Sequence, residues 1–150
     1  MRYLFPLAAP LALAAFLSAC ASPRPEPGPP PPSPYPLSGP AHAETPAIAS
    51  LMDSARVDTT GGRLANAAAS LERALRIEPR NPRLWQELSR VRLLQRDYVQ
   101  AESCAARSNS WAGSDDALRA DNWRLIAQAR EARGDSDGVR AAREAAEKLK

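Results

Sequence analysis

The stretch Ala74-Leu75-Arg76-Ile77-Glu78-Pro79-Arg80-Asn81-Pro82, ALRIEPRNP, decides how the rest of the chain is read. Its first half is made of helix formers, and Pro79 ends that helix because it lacks the backbone donor a helix needs. Pro82 has the fixed φ that suits the first turn of a new helix. Two helices therefore meet here, one ending and one starting. Just beyond, Trp85-x-x-Leu88-Ser89 opens the second.

Working outward, the same texture recurs at fixed spacing. Leu51, Gly62, Ala67, Leu71, Ala74 and Ile77 are matched 34 residues later by Trp85, Arg96, Ala101, Ala105, Ser108 and Trp111. A further shift of 38 reaches Trp123, Gly134, Val139, Arg143, Ala146 and Leu149. Small residues meet small ones and bulky ones meet bulky ones, outside the glycine and proline punctuation. Such a period predicts stacked helix pairs, because one pair cannot bury its apolar face alone. Three pairs are expected, over residues 47–80, 81–113 and 116–150. Ala55, Ser89 and Ala127 on the first helices are small where the helices of a pair approach, as are Ala67, Ala101 and Val139 on the second. Trp85 and Trp123 fill the gaps between pairs. Extra residues near Gly113 to Asp116 lengthen one connection, and Asp115 or Asp116 caps the helix that follows. Arg143 and Glu147 give the last helix a polar outer face, as a terminal cap requires.

These residues resemble the tetratricopeptide repeat, a helix–turn–helix unit of about 34 residues with a W-x-x-L-G start. Trp85-x-x-Leu88-Ser89 matches that start with serine for glycine; Trp123-x-x-Ile126-Ala127 and Leu51-x-x-Ser54-Ala55 match more loosely. Arg96-Asp97-Tyr98 and Gly134-Asp135-Ser136 correspond to the Gly-Asp-Tyr turn inside a repeat. The fold class implied is all-α: a short solenoid of three helix pairs over residues 47–150.

The beginning of the chain has a different character. Residues 1–19 carry Arg2, an apolar run from Leu4 to Leu17 and the small pair Ser18-Ala19, the three parts of an export signal. The run is too short, and too broken by Pro6 and Pro10, to read as a membrane span. Leu17-Ser18-Ala19-Cys20 resembles the bacterial lipobox, which implies cleavage before Cys20 and lipidation of its thiol. Ala21 follows where an inner-membrane retention aspartate would stand, pointing to the outer membrane with the chain facing the periplasm. Residues 20–46 are rich in proline and poor in bulky apolar side chains, so they read as a disordered tether in extended polyproline II. At about 3.1 Å per residue such a tether reaches on the order of 80 Å.

Composition narrows the function. The formal net charge is +3, carried by arginine, and Lys148 and Lys150 are the only lysines. A modest charge spread over helices describes a solvated surface, and nucleic acid is not expected as a partner. Cys104 is the only thiol besides Cys20 and reads as a packed helix residue. His42, the sole histidine, lies in the tether, so histidine-dependent triads and multi-histidine metal sites are not expected. Gly61-Gly62 lacks the lysine and serine of a phosphate loop. No catalysis, cofactor or metal is expected; a binding module is.

In repeat folds of this kind the concave face is lined by the first helix of each pair. By repeat correspondence it should present Met52 and Arg56, then Arg83, Gln86, Arg90, Leu93 and Leu94, then Arg124 and Gln128. This set suits an acidic or polar peptide segment. The combination of anchor, tether and repeats resembles the lipoprotein activators of class A penicillin-binding proteins, particularly the pseudomonad type. That resemblance implies a monomeric regulator that spans the periplasm and contacts an inner-membrane peptidoglycan synthase. The alternative is a pilotin-like assembly factor for a secretin or another envelope complex.

Overall fold

The computed structural model describes residues 45–149. The export signal, Cys20, His42 and all but the last two residues of the proline-rich segment lie outside them, as does Lys150. Six helices follow in order: α1 (Pro46–Thr60), α2 (Leu64–Ile77), α3 (Pro82–Leu94), α4 (Tyr98–Trp111), α5 (Asp116–Ala132) and α6 (Ser136–Glu147). They form three antiparallel pairs, α1/α2, α3/α4 and α5/α6, each packed on the next. The described residues are therefore all-α, in the order the repeat dictates.

Local chemistry sets the boundaries. Five of the six helices start at a side-chain cap, which satisfies a backbone donor that has no partner inside the helix. Thr45 caps α1, Asn81 α3, Asp97 α4, Asp115 α5 and Asp135 α6. Asp115 thus performs the role expected of it, accepting from the Leu118 N–H at 3.0 Å. Pro46 and Pro82 occupy the first turns of α1 and α3, where the missing N–H is harmless. Within each pair the turn passes through one residue with positive φ: Gly62 at 73°, Arg96 at 62° and Gly134 at 78°. These are the same repeat position, and arginine fills it in the middle pair although its Cβ is disfavoured there.

The core lies at the crossings. Ala55, Ser89 and Ala127 are buried, as are Ala67, Ala101 and Val139 facing them. Ser89, which stands where the repeat consensus has glycine, donates its hydroxyl to the Ala101 carbonyl at 2.7 Å. The substitution thereby converts close helix contact into a hydrogen bond across the pair. One apolar cluster joins α1 to α4 through Ile48, Leu71, Leu75, Leu84, Leu88 and Val91, with Trp85 against it. A smaller one, built on Ala105, Leu125, Ile126 and Ala142, has Trp123 against it. Both tryptophans sit between pairs.

Candidate partner-binding groove

Two adjoining cavities open between α1 and α3, and they share Met52, Arg56 and Glu87. The polar one, of about 460 Å³, is completed by Asn81, Pro82, Arg83 and Gln86. The apolar one, of about 270 Å³, includes Ala55, Leu71, Val91 and Leu94, with Arg90 at its edge. Helical spacing explains the grouping. Arg83, Gln86, Arg90 and Leu94 step along α3 by three or four residues and so lie on one stripe. Met52 and Arg56 do the same on α1.

Each expected residue can now be placed. Met52 is buried and forms floor shared by both cavities. Arg56 is exposed and held by Asp53 at 3.0 Å. Arg83 is exposed, with Asp115 3.9 Å away. Arg90 is exposed in the groove and holds no carboxylate among the described residues. Gln86 is 7% exposed, and its Nε2 is buried without a hydrogen-bond partner. A buried amide in that condition is costly unless something supplies an acceptor. Leu94 is 55% exposed, an apolar side chain on the rim.

Three of the expected residues do not join this groove. Leu93 packs against the α4–α6 cluster instead. Neighbours on a helix point about 100° apart, so Leu93 and Leu94 cannot both face one groove. Arg124 and Gln128 are exposed on α5 and line neither cavity; Arg124 is paired with Asp121. The groove belongs to the first two pairs.

Sequence reasoning missed Glu87 and Asn81. Glu87 places a carboxylate among the arginines, so the groove is mixed in charge rather than uniformly basic. Its position beside Gln86 on the same turn was the available signal. Asn81 was hidden because it acts as a helix cap: its Oδ1 accepts from the Arg83 and Leu84 N–H groups while its Nδ2 donates to Glu78. It thereby fixes the start of α3 and the place of Arg83.

Cys104 is a free, buried thiol on α4. Burial pushes its pKa up to about 11 against the pull of nearby Arg92 and Arg107. A thiol kept protonated in this way is a poor nucleophile. Among the described residues, no group of three or more His, Cys, Asp or Glu side chains is placed to hold a metal ion. No described helix is long and apolar enough to cross a membrane. What the groove offers is guanidinium, amide and methyl surface along two helices, the means of holding a chain segment.

The family model for the tetratricopeptide repeat matches residues 60–128. No curated protein matches the chain. Among solved structures, the globular C-terminal domain of P. aeruginosa LpoP is 45% identical, with a TM-score of 0.67. The match covers 69% of this chain and 98% of that one.

Proposed function

The chain belongs to the family of LpoP, and on that premise we propose that it is an outer-membrane lipoprotein that activates a class A penicillin-binding protein. The observation that carries this reading is the 45% identity over nearly the whole LpoP globular domain. LpoP-type repeat domains are binding modules, and the residues described above supply binding surface. Cys20 is proposed as the lipidated anchor and the rest of residues 20–46 as the span that lets the repeats reach a synthase in the inner membrane.

Docking is assigned to the α1/α3 groove. Arg83 and Arg90 offer guanidinium forks to carboxylates of an extended segment. The buried amide of Gln86 gains a partner when a peptide carbonyl enters the polar cavity, and an apolar side chain fills the cavity bounded by Leu71, Val91 and Leu94. Activation follows if the synthase's active state binds this groove more tightly than its inactive state, since a ligand shifts an equilibrium only by its differential affinity.

The test mixes residues 45–150 with the same organism's purified class A penicillin-binding protein and measures the rate of glycan-chain polymerisation. An increase that Arg83→Glu or Arg90→Glu weakens supports both the activity and the groove. An increase that neither substitution alters places the contact elsewhere. If the rate is unchanged and no complex forms, the activator reading fails.

A further inference from the structure

The arginines divide into two populations. Every arginine from Arg119 to Arg143 holds a carboxylate oxygen of the domain. On the opposite flank of α3 from the groove Arg92 is paired, with Glu72, but its neighbours are not. Arg76, Arg80 and Arg107 hold no carboxylate among the described residues, and two of them lie over indole rings. The Arg80 guanidinium carbon is 5.1 Å from the centre of Trp111, and that of Arg107 is 4.8 Å from the centre of Trp85.

The two stacks form one unit. Arg107 and Trp111 are four residues apart on α4 and share a face. The Trp85 Nε1–H donates to the Pro79 carbonyl at 2.8 Å, which fixes that indole beside the turn bearing Arg80. Ile77, 52% exposed, and Trp111, 44% exposed, add apolar surface close to that turn. Next to them is a cleft of about 440 Å³ between α2, α3 and α4, lined by Arg76, Trp85, Arg107, Gln100 and Ser103, and by Glu72, whose carboxylate is neutralised by Arg92. A guanidinium held over an indole face still has N–H donors to offer and has already given up much of its freedom. It is thus prepared for a bidentate carboxylate.

We propose that the α2/α4 face is a second docking surface, and that its occupant is an acidic peptide segment of a partner protein. The carboxylates take the stacked forks of Arg80 and Arg107, with Arg76 between α2 and the cleft, while an apolar side chain rests on Ile77 and Trp111. Two features favour a peptide over an anionic bilayer. The unneutralised charges border a cleft, which a flat headgroup layer cannot enter. Gln100 and Ser103 inside it are neutral groups suited to a peptide backbone. This surface is separate from the groove, since Trp85 and Leu88 line it whereas Gln86 and Arg90 line the groove. It does not depend on the activator reading.

The test uses the full chain carrying Arg83→Glu and Arg90→Glu, which deny the groove to carboxylates, and fluorescence anisotropy. The probes are a labelled peptide of Glu, Ala and Leu, its counterpart with Gln for every Glu, and phosphatidylcholine vesicles with and without phosphatidylglycerol. The acidic peptide should bind and the neutral one should not. Arg80→Gln combined with Arg107→Gln should weaken binding about tenfold or more, as expected for lost charge-assisted pairs. Arg107→Lys keeps the charge but loses the fork, and should weaken binding severalfold. Arg124→Gln with Arg140→Gln, which line neither the groove nor this face, should change it by less than about twofold; circular dichroism establishes that each variant is folded. Absence of acidic-peptide binding overturns the proposal, as does equal binding of the neutral peptide or an equal loss in the Arg124/Arg140 variant. Retention by phosphatidylglycerol vesicles in place of the peptide would assign the face to a membrane instead.

Discussion

The junction between the first and second helix pairs and the junction between the second and third occupy the same place in the repeat but are built differently. The first is apolar: Leu71, Ala74 and Leu75 of α2 share one buried cluster with Leu84, Leu88 and Val91 of α3. The second is partly polar. Asn122, fully buried on α5, donates from Nδ2 to Ser108 Oγ at 2.7 Å and to Asn109 Oδ1 at 2.9 Å. Ser108 in turn donates its hydroxyl to the Pro82 carbonyl at 2.7 Å, so the network ties the start of α3 to α4 and α5. Outside it, Arg130 and Arg133 both hold Glu102. Repeat architecture therefore fixes where helices meet and leaves open what holds them. An apolar junction gains from area, whereas a polar one gains little net energy but penalises any register that breaks its hydrogen bonds, and here Asn122 Oδ1 and Asn109 Nδ2 are already buried without a partner.

The comparison can be broken or sharpened by substitution. The largest effect is expected at the apolar junction: Leu71→Ala should cost about 3 kcal/mol in denaturant unfolding, the usual range for a fully buried leucine that leaves a cavity. A loss below about 1 kcal/mol would mean that this junction collapses readily and is no better packed than the other. Asn122→Ala should cost about 2 kcal/mol, mainly because Ser108 and Asn109 lose a buried partner. Combining it with Ser108→Ala should cost less than the two separate losses added together, the coupling expected of one network. Strict additivity would show that the hydrogen bonds act independently.

Smaller effects separate the two outer ion pairs. Glu102→Gln removes the shared partner of two arginines and should destabilise by about 1 kcal/mol, an effect that fades with added salt. Glu72→Gln, which removes only the more exposed partner of Arg92, should cost less than about 0.5 kcal/mol. One change has the opposite sign. Arg96→Gly relieves the disfavoured positive φ in the middle turn and should stabilise by up to about 1 kcal/mol, the gain offset by glycine's greater freedom when unfolded. Thermal melting at fixed protein concentration measures all three.

How much was legible in the sequence follows the same division. The period gave the helix pairs, the small crossing residues and the interleaved tryptophans, because volume at a crossing is a property of the residue type itself. It did not give the Ser108–Asn122 network. Those residues lie 14 apart, a separation the 34-residue comparison does not test; the comparison matches Ser108 only as a small residue, and Asn122 by itself reads as an ordinary polar helix residue. The groove was legible in part: Met52, Arg56, Arg83, Gln86, Arg90 and Leu94 gather there, while Leu93, Arg124 and Gln128 do not. Correspondence between repeats identifies the helix face to within about a residue, and one residue is 100°. Glu87 was missed because a search for cationic positions passes over the anion between them.

The cavities between α1 and α3 also have a mechanical meaning. α1 is the first helix of the domain and rests chiefly on α2, with open space where it faces α3. A pull on the chain ahead of Thr45 would load α1 before any other helix and tend to peel it from α2. A segment lying in the groove would touch Arg56 on one side and Arg90 on the other, lacing the peeling helix to its neighbour. Occupancy should then raise the force needed to unravel the domain, so that the bound protein is the tougher one.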